Sequence, residues 1–325
     1  MDLTLVRSDV ACIPAALRAL ADRLDVDDPW RAVDTGLTRR VLLLGMGSSA
    51  YAAGVVAARM RADGLDAVAD LASAEVGWPT DPGMLVVAIS ATGGSVETVA
   101  AARRHAGRSR LVALTNTEGS DLARMADSVV PLQASEASGV ASVSYAVTLG
   151  MLLALRARLA GGDLAPVAVT ARRAADSVED LLTTSDSWLP RAAARLASRD
   201  GLYVLGPAQR LCSAQQSALM VREIPRRPAT GCETGDWAHV DVYLAKTLDY
   251  RVLLLPGSRW DGQAMEWLRA RGATVQPVGA EVADALPAIR YRGDDDPDIR
   301  LLAEVTVAQL LAVEWWQNAG EGVNA

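Results

Sequence analysis

Short apolar runs alternate with amphipathic stretches along this chain. Residues 40–44, 84–89, 110–114 and 128–132 are almost continuously apolar over strand length, as strands buried on both faces require. Between them, residues 49–61, 95–105 and 119–126 place apolar side chains at helical spacing. Strand and helix in strict alternation predict an α/β fold with a parallel sheet covered by helices. From 166 to 197 the chain is rich in Ala, Arg, Asp and Leu at helical spacing with no strand signal, so helices are expected to link two halves. The second half repeats the scheme, with strands at 202–205, 251–255 and 274–278, helices at 209–223 and 261–271, and a last helix from 298 to about 317. Two α/β domains follow, 1–162 and 163–325, alike in architecture and different in loop chemistry.

The most apolar stretch, 140–155, is interrupted by Ser142, Ser144, Tyr145 and Thr148 and falls short of the ~20 residues that a membrane-spanning helix needs. It reads as a buried helix, and no membrane partner is expected. With 325 residues, 50% of them hydrophobic, each half can bury its own core. The net charge of −7 is spread along the chain, and no basic block could track a phosphate backbone, so a nucleic-acid partner is disfavoured. The start, Met1 to Arg7, puts acid before base and has no apolar core, unlike an export signal. Cys12, Cys212 and Cys232 are odd in number and far apart, which fits neither a disulfide framework nor a zinc knuckle. A cytoplasmic location is expected.

The loops after the first two strands carry the chemistry. Gly45-Met46-Gly47-Ser48-Ser49-Ala50 combines glycines that allow a tight turn with a helix start whose N–H groups attract anions. By itself this pattern equally suits a dinucleotide fold, with Asp66 or Asp70 as the ribose acid. The second loop, Ser90-Ala91-Thr92-Gly93-Gly94-Ser95, adds three hydroxyls and two glycines at another helix start. Hydroxyls and free amides together can surround a phosphate monoester, and a dinucleotide enzyme has no need of the second cluster. Helix capping is the plainer explanation for each loop alone.

With Thr115-Asn116-Thr117-Glu118-Gly119-Ser120 and Ser135-Glu136-Ala137-Ser138-Gly139-Val140-Ala141-Ser142 following in order, the chain resembles the sugar isomerase (SIS) family. The pattern is most similar to the isomerase part of glucosamine-6-phosphate synthases, from roughly residue 40 to 320. The resemblance implies two flavodoxin-like, three-layer αβα subdomains. It also implies a phosphorylated sugar or amino sugar as partner, phosphate held by Ser49, Ser90, Thr92 and Ser95 with Ser48 beside them, and sugar contacts from Val140 and Ser142. Ala91 stands where the synthases have glutamine, and nothing matches their glutamine-cleaving domain, so glutamine use is not expected.

Sugar isomerisation moves a proton between adjacent carbons and another to and from oxygen, which calls for a carbon acid/base and a ring-opening group. Glu223 and, sixteen residues later, His239 stand at the spacing of the family's pair. By resemblance Glu223 shuttles the carbon proton and His239 opens the ring in a neighbouring subunit's pocket, which implies a homodimer or larger homo-oligomer. No metal or organic cofactor is implied. Salt bridges from Glu223 to Arg222, Arg226 or Arg227 are the competing reading, and Glu233 and Asp236 are reserve acids. The second histidine, His105, is expected at a solvated helix end among arginines. Asp236-Trp237-Ala238-His239 departs from the family's Glu-Leu-Lys-His, and Trp237 offers either a sugar-stacking face or a buried tryptophan at an interface. The single lysine, Lys246, does not stand where the synthases place a lysine over the substrate. An aldose–ketose isomerase or amino-sugar-phosphate deaminase leads. A fructosamine-phosphate deglycase, a non-catalytic sugar-phosphate sensor and, more distantly, a dehydrogenase are the alternatives.

Overall fold

The computed structural model describes residues 2–323, with side chains as far as residue 319. Contacts divide the chain into two compact units. The first comprises Ala15–Glu136 and Val143–Arg172, and the second Met1–Pro14, Ala137–Ser142 and Arg173–Ala325.

The first unit holds most of α1 (Leu3–Val26), whose opening turns count with the second. Then follow β1 (Arg40–Gly45), α2 (Ser48–Ala62), β2 (Ala67–Leu71), β3 (Met84–Ile89), α3 (Val96–His105), β4 (Arg110–Thr115), α4 (Asp121–Met125), β5 (Ser128–Pro131), α5 (Val143–Leu159) and the first turns of α6 (Ala165–Thr183). All five strands are parallel, in the order β2-β1-β3-β4-β5. The three central strands are apolar because both faces are covered: Leu42, Val86 and Leu111 pair in register and sit in one core with Leu44, Ala88 and Leu122. Every residue of α5 from Val143 to Leu155 is buried, as a helix without a polar face must be. Among the described residues no helix is long and apolar enough to cross a membrane.

The second unit contains α7 (Ser185–Leu196), β6 (Leu202–Gly206), α8 (Leu211–Glu223), β7 (Ala229–Glu233), α9 (Thr234–Trp237), β8 (Arg251–Leu254), α10 (Asp261–Ala270), β9 (Thr274–Pro277), α11 (Pro297–Ala303) and α12 (Val305–Val323). Its sheet is also parallel, ordered β7-β6-β8-β9. Two parallel sheets with flanking helices are the α/β architecture expected from the sequence.

Four elements go beyond the sequence-based expectation: α1, the edge strands β2 and β7, and the short helix α9. The last helix is divided into α11 and α12 at Glu304, which is fully buried. One expectation is corrected. His105 is not solvated but 1% exposed, because it continues the buried stripe of Thr98, Ala101 and Ala102 while its arginine neighbours take the outer face. Trp237 is buried, as one of its two readings had it, and has no exposed face left for a sugar. It is fully buried in the second unit's core, its indole N–H donating to the Tyr250 hydroxyl at 2.8 Å while Tyr250 stacks on Tyr203.

Candidate active site

In the first unit, Ser48 and Ser49 open α2 directly after β1, and Ser90, Thr92 and Ser95 fill the turn from β3 to α3. β1 and β3 are adjacent, and the order of strands reverses between them, so both loops border the crevice at the strands' carboxyl ends where open α/β sheets bind ligands. No side chain caps α2, whose N-cap is Gly47, and the Ser95 side chain does not cap α3. Two helix starts therefore face this end of the sheet with first-turn N–H groups unclaimed by side-chain caps.

The turn is wound by its own hydroxyls. Ser90 Oγ accepts from the Gly93 N–H at 3.1 Å and Thr92 Oγ1 from the Gly94 N–H at 3.3 Å. Ser95 Oγ donates to Glu97 Oε2 and accepts from Thr98 Oγ1. Gly93 has φ +66°, and a Cβ there would lie 2.1 Å from Ser120 Oγ, so glycine is required on two counts. Behind the turn, the Ala91 carbonyl accepts from Thr115 Oγ1 and from the Asn116 N–H. Asn116 ties on to Ala134 through both ends of its amide. Capping does account for Ser120, which accepts from the Ala123 N–H at the start of α4. Thr115, Asn116 and Ser120 thus build the floor under the loop, a role legible only as part of a hydroxyl-rich segment.

In the second unit, Val140 and Ser142 lie in the segment 137–142, both 2% exposed. The Asp9 carboxylate accepts from the Ala137 and Ser138 N–H groups at 2.9 and 2.8 Å, Ser138 Oγ accepts from the Val140 N–H, and Ser142 Oγ donates to the Val140 carbonyl. Glu223 is the last residue of α8. Burial holds its carboxyl above the ordinary glutamate value, with Arg222 pulling weakly the other way. Arg227 lies instead over the Trp315 ring at 5.1 Å. Glu233, one of the reserve acids, caps α9 by accepting from the Asp236 N–H, and Asp236 itself is exposed.

His239 is exposed, in the turn that follows α9. The chain does not bring it to Glu223. α8 leaves the carboxyl end of β6 and runs back to the start of β7, so Glu223 sits at the amino end of the sheet, whereas His239 comes after β7 has crossed to the carboxyl end. The 13 residues of α8 put the two ends of that crossing on the order of 20 Å apart. Among the described residues no group of three His, Cys, Asp or Glu side chains is placed to hold a metal.

Residues 38–157 match the SIS domain family model. A glutamine–fructose-6-phosphate aminotransferase (isomerizing) from Sulfurisphaera tokodaii is 24% identical over 306 residues, 92% of this chain and 50% of the relative, so the chain spans about half the length of that protein. Among solved structures, the C-terminal domain of a glucosamine-fructose-6-phosphate aminotransferase from Francisella tularensis superposes with a TM-score of 0.82 at 16% identity, covering 97% of this chain and 96% of that one. A tagatose-6-phosphate ketose/aldose isomerase from Escherichia coli reaches 0.78 at 18% identity, covering 97% and 93%. At these identities the structural likeness is one of fold. The family match covers residues 38–157, and both hydroxyl loops lie within that stretch.

Proposed function

We propose that the protein is a sugar-phosphate isomerase or amino-sugar-phosphate deaminase that works by enolisation. The observation that carries this reading is the Ser90–Ser95 turn beside the start of α2: hydroxyls and uncapped helix N–H groups on both sides of a sheet's switch point suit a phosphate dianion. The carbon acid/base in this reading is Glu223. Its carboxylate takes the proton from the carbon next to the open-chain carbonyl, the C–H electrons form the enediol double bond, and the carbonyl π pair moves to its oxygen, which takes up a proton. The acid then returns the carbon proton to the former carbonyl carbon as the neighbouring hydroxyl gives up its own proton and becomes the new carbonyl. A carboxyl raised by burial suits both halves of this exchange, because a shuttle works best when its proton affinity lies near the operating pH.

His239 is the ring-opening group in this reading, and it acts on a neighbouring chain's substrate. Its place at the opposite end of the sheet from Glu223 supports a site shared between two copies. Deglycation of a phosphorylated fructosamine would use the same enolisation, and substrate assays separate it from the leading reading. A panel of hexose, hexosamine and fructosamine phosphates should contain at least one that raises the melting temperature and is turned over. Glu223→Gln should lower kcat at least ~100-fold, the usual scale of general acid–base catalysis, while that stabilisation persists. Undiminished turnover in the variant discards Glu223 as the proton carrier.

A further inference from the structure

The side chain of Gln216 lies fully buried in the middle of α8, and its Nε2 donates to the Ala141 carbonyl at 2.8 Å. A carbonyl can only accept, so the amide nitrogen, not the oxygen, faces Ala141. That carbonyl lies between Val140 and Ser142. The same helix ends in Glu223, and residues 216, 220 and 223 share one helix face. Met220 is the side chain between them, its sulfur 3.8 Å from the Gln216 amide.

We infer that Gln216 is a positioning residue: it ties the Val140–Ser142 backbone to the helix that carries Glu223, so that the sugar-contacting segment and the carbon base are set at a fixed spacing. This inference rests on the proposed function for what the segment contacts, and on geometry alone for the tether. Seven residues of helix separate the two points, about 10 Å along the axis, and an α-helix holds such a spacing far more rigidly than a loop does. The segment is fixed at its other end by the Asp9 carboxylate, so Gln216 supplies the second of two anchors on either side of Val140.

Stability gives no reason for a glutamine here. Among the described residues its Oε1 has no hydrogen-bond partner, a buried acceptor left unsatisfied. Ala141 is only partly buried, so water can reach its surroundings if the amide is removed. An apolar side chain of equal length would be no worse for the fold, and what it would lose is the tether.

Gln216→Met tests this, because it keeps length and burial and deletes the donor. Hydrogen exchange of the peptide spanning 137–142 should speed up about tenfold, with the 88–96 peptide and the melting temperature unchanged. Fructose 6-phosphate, read by thermal stabilisation, should bind about tenfold more weakly while inorganic phosphate binds as before. Unchanged exchange in 137–142 overturns the tether. Faster exchange with unchanged fructose 6-phosphate affinity overturns the positioning role. If the unmodified protein is not stabilised by any sugar phosphate in the panel, the proposed function fails, and the exchange arm still decides the tether.

Discussion

The two sheets reverse their strand order in the same way, between β1 and β3 in one and between β6 and β8 in the other, yet what occupies the two switch points is opposite in kind. The first is bordered by serines, threonines and glycines and by two helix starts without side-chain caps. The second is filled by the protein itself. Arg210, at the start of α8, donates through Nε to Glu304 at 2.9 Å and through Nη2 to the Pro256 carbonyl after β8, and the two charged side chains are 4% and 0% exposed. Arg300 adds a second donor to the same carbonyl. One topology supplies a crevice twice. Small hydroxyl side chains leave it open to an anion, and a buried ion pair turns it into core.

The sharpest way to break this contrast is to remove half of the ion pair. Arg210→Met strands the Glu304 carboxylate, which burial already pushes toward its protonated form, and should cost about 3–5 kcal/mol in urea unfolding. Adding Glu304→Leu should restore most of that loss. A neutral single variant would mean that the pair is incidental to the second unit.

Gly93→Ala makes the next largest change, on the open side. The positive φ and the Ser120 hydroxyl both oppose a Cβ, so a loss of about 2 kcal/mol is expected together with loss of stabilisation by inorganic phosphate. Phosphate stabilisation that survives intact would place the anion elsewhere.

The smallest effect concerns pH. Burial and the neighbouring Arg104 hold His105 below its ordinary value, and its Nδ1 lies 3.4 Å from Ser109 Oγ. The unfolded chain then binds a proton at higher pH than the folded one. The contribution is therefore complete above the unfolded value of ~6.5 and is lost as pH falls through the folded value. His105→Gln should flatten the stability profile across that interval while leaving it unchanged near pH 8. A profile of the same slope in the variant would assign the acid sensitivity to other groups.

What the sequence discloses follows from burial. β1, β3 and β4 are covered on both faces, so their residues had to be apolar and were legible as strands. β2 and β7 lie at sheet edges and tolerate Asp70 and Gly231. Gly231 is needed because a Cβ would meet the Ala214 carbonyl oxygen of α8 at 2.4 Å, a constraint that reads in sequence as a strand breaker. α1 carried its own signal, since Val6, Val10, Ile13, Leu17, Leu20 and Leu24 form one buried stripe at helical spacing. So did His105, three residues after Ala102 on the buried face of α3. The loops after β1 and β3 were legible because glycine and hydroxyl residues concentrate where a strand becomes a helix. Gln216 was not, because a single glutamine in a helix has no meaning until Ala141, 75 residues away, is placed against it.

Titrating the ¹⁵N-labelled protein with fructose 6-phosphate and following backbone amides by NMR tests whether the first switch point, and not the second, takes the phosphate. Saturable shifts are expected at Ser49, Gly93, Gly94 and Ser95, reproduced by inorganic phosphate, with Gly257 and Ser258 at the second switch point unmoved. Shifts confined to Gly257 and Ser258, or none at the Ser90–Ser95 turn, would contradict a phosphate site at the first switch point.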